Sequence, residues 1–161
     1  MLVQDAALTS RVRYPGGALL VGKNIFDAWA DGRKPPIAVL IGFELKEFSP
    51  DRAVIELEAG PRHANPMGSL HGGILCDISD AAMGTAWASG LAEGETFTTM
   101  ELKINFFRPV WSARLSAEAH VIRRGRTTGY VECDIRDDSG RLVARAGSTC
   151  MTLRGEQAEG R

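Results

Sequence analysis

One long helical pattern lies between two groups of strand patterns, and this order limits the folds that are open to the chain. Apolar residues recur at helical spacing from residue 73 to residue 89, and Gly90 stands where a helix C-terminus belongs. Few positions on any face of this segment are polar, and many are small: Ala81, Ala82, Gly84, Ala86 and Ala88. Small residues let other backbone approach closely from several sides. We therefore expect the rest of the fold to surround this helix.

Period-two alternation of apolar and polar residues marks the strands. Before the helix, residues 43–59 alternate on both sides of a turn at residues 49–52, which predicts a β-hairpin. After the helix come four strand candidates with short links, at residues 97–107, 114–123, 127–136 and 141–153. Consecutive strands with short links form mainly antiparallel sheets, and the one long helix must be the partner of that sheet. The sequence predicts an α+β fold in which an antiparallel sheet curls around one long central helix.

Composition and charge narrow the class of protein. The 161 residues suit one domain, and 19 basic against 20 acidic side chains leave a net charge of -1, which gives no sign of a nucleic-acid partner. The three cysteines, Cys76, Cys133 and Cys150, have no C-x-x-C spacing, so neither a disulfide framework nor a zinc site is expected. The longest apolar run, residues 37–43, is too short to span a bilayer, and the charged N-terminus does not look like a signal peptide. We expect a cytoplasmic protein with no membrane partner.

Asp80 is an acidic residue in the middle of the predicted helix. It lies several residues from either end, so it cannot serve as an N-cap. Its small apolar neighbours suggest burial, which is costly for an unpaired carboxylate, and perturbed carboxylates cluster at functional sites. The alternative is a solvated helix face that Asp80 shares with Asp77. The pattern of residues leaves both interpretations open.

His71, Gly72 and Gly73 stand where the helix begins. Two consecutive glycines allow a tight turn and leave backbone N–H groups unobstructed at a helix N-terminus, where the dipole adds partial positive charge. Such a place suits an anion, or a carbonyl oxygen that is becoming one. A plain loop-to-helix turn is the alternative interpretation of any Gly-Gly pair.

The spacing of these residues resembles the signature of a known enzyme family. The segment Asn65-Pro66-x-Gly68-x-x-His71-Gly72-Gly73, with Asp80 nine residues after the histidine, is similar to the motif of the hotdog-fold acyl-CoA thioesterases. The subgroup that it resembles is that of the phenylacetate-pathway thioesterase. Further similar features are Pro35-Pro36, Gly42, Thr99, residues 105–109 and Gly125-Arg126.

The resemblance also divides the chain. It covers residues 35–153 and implies a hotdog thioesterase domain over residues 35–154. Residues 1–34 then form an N-terminal extension, in which the segment 24–30 is the helical candidate. Residues 155–161 are expected to be a flexible C-terminal tail.

The resemblance implies a role for each matching residue. Asp80 matches the catalytic carboxylate, which acts on a thioester either as a nucleophile, through a mixed anhydride, or as a general base for water. Gly72 matches the N–H that polarises the thioester oxygen, and His71 orders the loop and assists the same oxygen. Asn65 matches the side chain that holds the attacking water or the thioester. Thr99 matches a residue that orients water or the carboxylate.

In this family the carboxylate faces the helix N-terminus across a subunit interface. Within one chain the two glycines are roughly ten ångströms from Asp80 along the helix axis, at about 1.5 Å of rise per residue, too far for both to touch one thioester carbon. The resemblance therefore implies a homodimer with the active site at its interface. A homotetramer of two such dimers is the further expectation.

Several other residues are candidates for substrate contacts. Gly73 belongs to the helix N-terminus, and Arg108 and Arg126 would suit the phosphates of coenzyme A, although a solvated strand edge also explains the arginines. Three aromatic residues are candidates either for an acyl pocket or for ordinary packing: Phe106, Phe107 and Trp111.

Three further side chains are predicted to be structural. His63 and His120 lack metal-ligand spacing and fit a structural or surface role. Cys76 fits a packed helix position better than a nucleophile. The serine-hydrolase motif G-x-S-x-G does not occur in the sequence.

Together these residues predict an acyl-CoA thioesterase that releases a free acid and coenzyme A, with aromatic acyl groups among the candidate substrates. No metal or redox cofactor is expected, and coenzyme A enters only as part of the substrate. Two alternatives remain: a hotdog hydratase or dehydratase, and a non-catalytic acyl-CoA-binding sensor. The presence of Asp80, Asn65 and Thr99 together favours turnover.

Overall fold

The computed structural model describes Trp29 and residues 34–159. Its elements, in chain order, are α1 (Pro36–Ile41), β1 (Phe43–Ser49), β2 (Arg52–Ala59), a 3-10 turn (Pro61–His63), α2 (Gly72–Ala88), β3 (Thr96–Phe106), β4 (Ala113–Arg124), β5 (Thr128–Asp137), β6 (Leu142–Leu153) and a second 3-10 turn (Gly155–Ala158). The long helix and all six predicted strands are present close to their predicted bounds. Of the helix predicted at residues 24–30, only Trp29 is described, and it is helical; the rest of that prediction lies outside the described residues.

The strands form one sheet in the order β1-β2-β4-β5-β6-β3. Every neighbouring pair is antiparallel. The sheet therefore begins with the predicted hairpin and ends with β3, which the chain reaches directly after α2. This confirms the predicted α+β architecture and leaves β3 at one edge of the described sheet.

The helix α2 is enclosed by the sheet, as its small residues predicted. It contacts all six strands, and every residue from Ala82 to Ala88 is buried. Its last turn is held by Arg124, whose guanidinium lies 4.0 Å from the Trp87 ring centroid and donates a 2.8 Å hydrogen bond to the Trp87 carbonyl. The same guanidinium donates to Asp51. The C-terminal half of α2 is therefore fixed by packing, while its first half still presents polar residues to solvent.

The short helix α1 was not predicted. Pro36 stands at its start, where the missing N–H costs nothing, and Gly42 ends it in the left-handed region with φ 92°, donating its N–H to the Ala38 carbonyl at 2.7 Å. Six residues are too few for helical periodicity to be recognised. In the part of the chain that the structure describes, every helix is too short or too polar to span a bilayer.

A β-bulge interrupts β3 at Met100. Thr99 pairs with Cys150 and Glu101 pairs with Thr149, so Met100 is one extra residue without a partner on β6. The bulge reverses the alternation of side chains along the strand. From the sequence, strict alternation places Thr99 on one face with Phe97, Glu101 and Lys103. Phe97 does share the inner face with Thr99, but the rest of this prediction is wrong, because after the bulge Leu102 and Ile104 face inward instead of Glu101 and Lys103.

Candidate active site

Thr99 and Asp80 meet between β3 and the middle of α2. The Thr99 hydroxyl donates a 3.0 Å hydrogen bond to Oδ1 of Asp80. Asp80 is solvent-exposed in the single chain. Of the two interpretations that the sequence left open, one chain shows the solvated face shared with Asp77, because the sheet covers α2 on its other faces. One carboxylate oxygen is oriented by Thr99, and the group remains accessible.

Asp77 lies one turn before Asp80 on the same open face. Partial burial, and then the charge of Asp80, raise the pKa of the Asp77 carboxyl above its ordinary value, while His71 acts in the opposite direction. The two carboxylates thus repel each other across one helical turn. Only Asp80 has a hydrogen-bond donor aimed at it from β3, which distinguishes the two.

The start of α2 is built by His71, Gly72 and Gly73. His71 is the N-cap, and its Nδ1 accepts a 2.8 Å hydrogen bond from the Gly73 N–H. A neutral ring that accepts at Nδ1 carries its proton on Nε2, and the residue is exposed. This agrees with the predicted role of His71 in ordering the loop.

Gly72 presents its backbone N–H at the helix N-terminus. Among the described residues no acceptor lies within hydrogen-bond distance of this N–H, so it is available to an oxygen from outside the chain. The ring of Phe106 lies over the glycine: a Cβ at position 72 would be 3.1 Å from the Phe106 Cζ. A glycine here allows this close approach.

Asn65 shapes the loop in front of the helix. Its side-chain oxygen accepts from the Met67 N–H at 2.9 Å, and its amide nitrogen donates to the Ser69 hydroxyl at 3.0 Å. The turn is completed by Gly68, whose φ of 82° lies in the left-handed region. In the single chain Asn65 therefore holds the loop, and its predicted contact with water or thioester remains a prediction.

The predicted site residues form two separate groups in one chain. Thr99 and Asp80 form the first, and the loop from Asn65 to Gly73 forms the second. Asp80 follows Gly72 by eight steps along the helix, which is about 12 Å of rise along the axis. One thioester carbon cannot be reached by both groups of the same chain.

An apolar hollow of about 230 Å³ opens beside Asp80 and Thr99. Sequence reasoning did not identify its walls, which include Trp29, Ile37, Phe43, Gly84, Thr85 and Phe97. These residues come from five separate places in the chain, and periodicity in one segment gives no sign that they converge. Trp29 packs on Phe43 with 6.2 Å between ring centroids, so a residue of the N-terminal extension forms part of the wall.

The predicted aromatic candidates lie elsewhere. Phe106 and Phe107 line a second groove, of about 320 Å³, together with Gly72 and Arg108. Trp111 is exposed on an adjoining hollow. Within one chain, then, none of the three predicted aromatic residues lines the hollow beside Asp80.

The arginine candidates differ in their surroundings. Arg108 lines the groove at the start of α2 beside Gly72, where a phosphate or a pantetheine chain could reach it. Arg126 is exposed in the β4–β5 turn, and its carbonyl accepts a hydrogen bond from Arg154. The structure therefore places Arg108, and not Arg126, next to the other predicted site residues of the chain.

The three side chains predicted to be structural are His63, His120 and Cys76. His63 is buried, and its Nε2 lies 2.8 Å from the Ile41 carbonyl oxygen. His120 lies on the surface beside Glu118. For Cys76, partial burial and then the charge of Asp77 raise the pKa of the thiol, which disfavours the nucleophilic thiolate.

Similar proteins identify the family. A sequence model of the thioesterase superfamily matches residues 67–144. A protein of Saccharolobus solfataricus that is named as an esterase is 35% identical over 103 residues, 64% of this chain and 73% of that protein. Acyl-coenzyme A thioesterase 13 of Mus musculus is 24% identical over 116 residues, 69% of this chain and 80% of that protein.

A solved structure shares both the fold and part of the sequence. It is a thioesterase of Ralstonia eutropha, described as related to phenylacetic acid degradation, with 28% identity and a TM-score of 0.71 over 78% of this chain and 98% of the other. The resemblance noted from the motif is thereby confirmed at the level of the family. The chain belongs to the thioesterase superfamily, has the hotdog fold of the thioesterases that resemble the phenylacetate-pathway enzyme, and is a thioester hydrolase.

Proposed function

We propose that the protein hydrolyses an acyl-CoA thioester to a free acid and coenzyme A, with Asp80 as the group that drives the hydrolytic step. One observation carries this proposal: an accessible carboxylate, oriented by the Thr99 hydroxyl at 3.0 Å, stands at the mouth of an apolar hollow. The carboxylate supplies the chemistry, and the hollow offers an apolar acyl group a place to bind.

Two routes fit an oriented carboxylate. As a general base, Asp80 takes a proton from water, the water oxygen bonds to the thioester carbon, and the carbon–sulfur bond then breaks to release the thiolate of coenzyme A. As a nucleophile, Asp80 itself bonds to that carbon and displaces the thiolate, and water then hydrolyses the mixed anhydride. Both routes pass through an oxyanion, which the free N–H of Gly72 at a helix N-terminus suits.

The active site is proposed to form between two chains, because the 12 Å of helix between Gly72 and Asp80 separates the two groups within one chain. Among the described strands β3 pairs only with β6, so its other edge offers free backbone donors and acceptors to a second chain. Asp80 lies against this same strand through Thr99. A second copy that pairs along β3 would therefore approach Asp80 directly. We propose a homodimer of this kind, either alone or as half of a homotetramer of two dimers.

The acyl group is proposed to enter the hollow beside Asp80. Since a dry apolar cavity of about 150 Å³ holds a benzene ring, a hollow of about 230 Å³ has room for an aryl-acetyl group or a straight chain of medium length. Coenzyme A would then extend away from the hollow, toward a groove such as the one lined by Arg108.

A panel of CoA thioesters tests this proposal. Thiol release is measured for acetyl, hexanoyl, palmitoyl, benzoyl and phenylacetyl thioesters, and the substrates are ranked by kcat/KM. We expect release above the uncatalysed rate, with the hexanoyl and phenylacetyl substrates ahead of acetyl and palmitoyl. Binding of these thioesters without thiol release would support the sensor alternative and contradict the proposal.

A further inference from the structure

The bulge in β3 is held by one side chain, Glu101. Its Oε1 accepts a 3.0 Å hydrogen bond from the Thr149 N–H and a 2.8 Å hydrogen bond from the Thr149 hydroxyl. A bulge disrupts the backbone ladder locally. The Glu101 carboxylate thus takes the place of a backbone acceptor for Thr149 at the point where the regular pairing fails.

A second hydrogen bond ties the backbone of the same residue to β6. The hydroxyl of Ser148, which is fully buried, donates to the Glu101 carbonyl at 2.8 Å. Glu101 is therefore fixed to β6 by its side chain and by its main chain. Met100, the inserted residue, is 57% exposed, and its side chain makes no hydrogen bond to β6.

The bulge determines which side chain faces Asp80. Leu102 and Ile104 pack against the core, and strict alternation counted back from them would point Met100 inward and Thr99 outward. One extra residue at position 100 lets Leu102 and Thr99 face inward together. The hydrogen bond from Thr99 to Asp80 therefore depends on the bulge.

We propose that Glu101 is a positioning residue for hydrolysis, which fixes the β3 bulge so that the Thr99 hydroxyl is held against Asp80. The proposal rests on the proposed function, because Asp80 must perform the chemistry for its orientation to affect turnover. Glu101 does not touch the reacting atoms. Its carboxylate lies on the face of β3 opposite the Thr99 hydroxyl, and it acts on Thr99 through the backbone between residues 99 and 101. A purely structural role, in which the bulge only shapes the strand edge, is the competing explanation.

The test is a double-mutant cycle between Glu101→Ala and Thr99→Ala. We expect Glu101→Ala to lower kcat about tenfold with little change in KM, because the acyl hollow is intact while the orientation of Asp80 is lost. Glu101→Gln should recover most of the lost turnover, since its amide oxygen can still accept from Thr149. In the Thr99→Ala background, Glu101→Ala should have almost no further effect on kcat, because both changes remove the same hydrogen bond.

Glu58→Ala is the matched control. Glu58 is an exposed carboxylate on β2 that accepts a cross-strand hydrogen bond from Arg114 at 2.7 Å, and it lies outside the site. Its replacement removes one exposed ion pair, so it should change stability little and leave turnover unaffected. If Glu101→Ala does not fold, Thr149→Val removes the hydroxyl donor to Glu101 while keeping the shape of the side chain, and it should give a smaller loss of kcat in the same direction.

The outcomes separate this inference from the function on which it rests. A chain without thioester turnover, or with turnover unchanged in Asp80→Asn, would overturn the proposed function and the inference together. Turnover that depends on Asp80, combined with effects of Thr99→Ala and Glu101→Ala that multiply, would overturn the inference alone. Equal kcat in Glu101→Ala and the parent chain would also overturn it.

Discussion

The hydroxyl of Thr99 lies 3.0 Å from Oδ1 of Asp80 and donates its hydrogen to it, which links the edge strand β3 to the middle of α2. Thr99→Ala removes this donor and leaves the backbone pairing of β3 intact. We expect kcat to fall by roughly ten- to a hundredfold, the scale of one lost positioning hydrogen bond, with the fold unchanged. Thr99→Ser keeps the hydroxyl and should have a mild effect. Steady-state thiol release checks both variants, and equal rates in all three proteins would show that Thr99 is an ordinary strand residue.

Gly84 leaves room for the Phe97 ring in the wall of the apolar hollow. A Cβ at position 84 would lie 3.1 Å from the Phe97 Cζ, so Gly84→Ala must shift the ring and reduce the space for the acyl group. We expect kcat/KM to fall about tenfold or more for phenylacetyl-CoA and much less for acetyl-CoA. Gly60→Ala is the control, because nothing lies within 4 Å of its added Cβ and its backbone is extended. Equal losses for the two substrates in Gly84→Ala would place the acyl group elsewhere.

Gly72→Pro offers a way to remove a backbone N–H while keeping the helix. Position 72 is the first residue of α2, where proline is favoured, and His71 before it has φ −64° and ψ 130°, which suit a residue that precedes proline. The added Cβ must also shift the exposed Phe106 ring, 3.1 Å away. Gly72→Ala adds the same Cβ but keeps the N–H, so we expect it to retain far more thiol release than Gly72→Pro, which should fold and lose most of its turnover because the proposed oxyanion donor is gone.

Mixing two inactive variants tests whether the site is shared. Dimers of one Gly72→Pro chain and one Asp80→Asn chain would keep one complete site of two, and random assembly makes half of the dimers mixed. The mixture should therefore regain about a quarter of the parental rate. A mixture that is proven to exchange chains and stays as inactive as its components would show that both groups act within one chain.

The pKa of Asp77 gives a prediction for the dependence of stability on pH. Partial burial and Asp80 raise this pKa above its ordinary value of 3.8, so the folded chain binds the proton more tightly than the unfolded chain. The free energy of unfolding therefore falls as the pH rises from the ordinary pKa of 3.8 through the raised pKa of the folded chain. We expect Asp77→Asn to raise the melting temperature at pH 7 and to leave it nearly unchanged at pH 3, where the carboxyl is protonated in both states. Asp138→Asn, in an exposed turn, is the control; a stabilisation of Asp77→Asn that is the same at both pH values would contradict the prediction.

Much of the fold could be predicted because its signals are local. The run of small residues in α2 predicted an enclosed helix, alternation marked the strands, and the short links between them predicted an antiparallel sheet; all three are observed. Alternation gave the wrong face for residues of β3, since the bulge there is set by the hydrogen bonds of Glu101 with β6, and period-two counting contains no information about a partner strand. The register also shifts within the β1–β2, β4–β5 and β5–β6 pairs. The helix α1 was missed because six residues carry too little periodicity.

The site was predicted in part. The spacing of the motif located the loop before α2 and Asp80, whereas the walls of the hollow could not be predicted, because Trp29, Phe43 and Phe97 meet only in the folded chain. The sequence left both burial and exposure of Asp80 open, because small neighbours in sequence do not determine which face of a helix the sheet covers. If a second chain covers that face, Asp80 is buried in the assembly although it is exposed in one chain.

The measurement that bears most directly on the role of Asp80 compares Asp80→Asn with Asp77→Asn. Both changes replace an exposed carboxylate on the same face of α2 with an amide of similar shape, three residues apart. Steady-state release of coenzyme A and a thermal melt are recorded on the same preparations. We predict that Asp80→Asn lowers turnover at least about a hundredfold, the scale of a lost general base or nucleophile, with an undiminished melting temperature, while Asp77→Asn stays within a few-fold of the parental rate. Near-parental turnover in Asp80→Asn would contradict the mechanism.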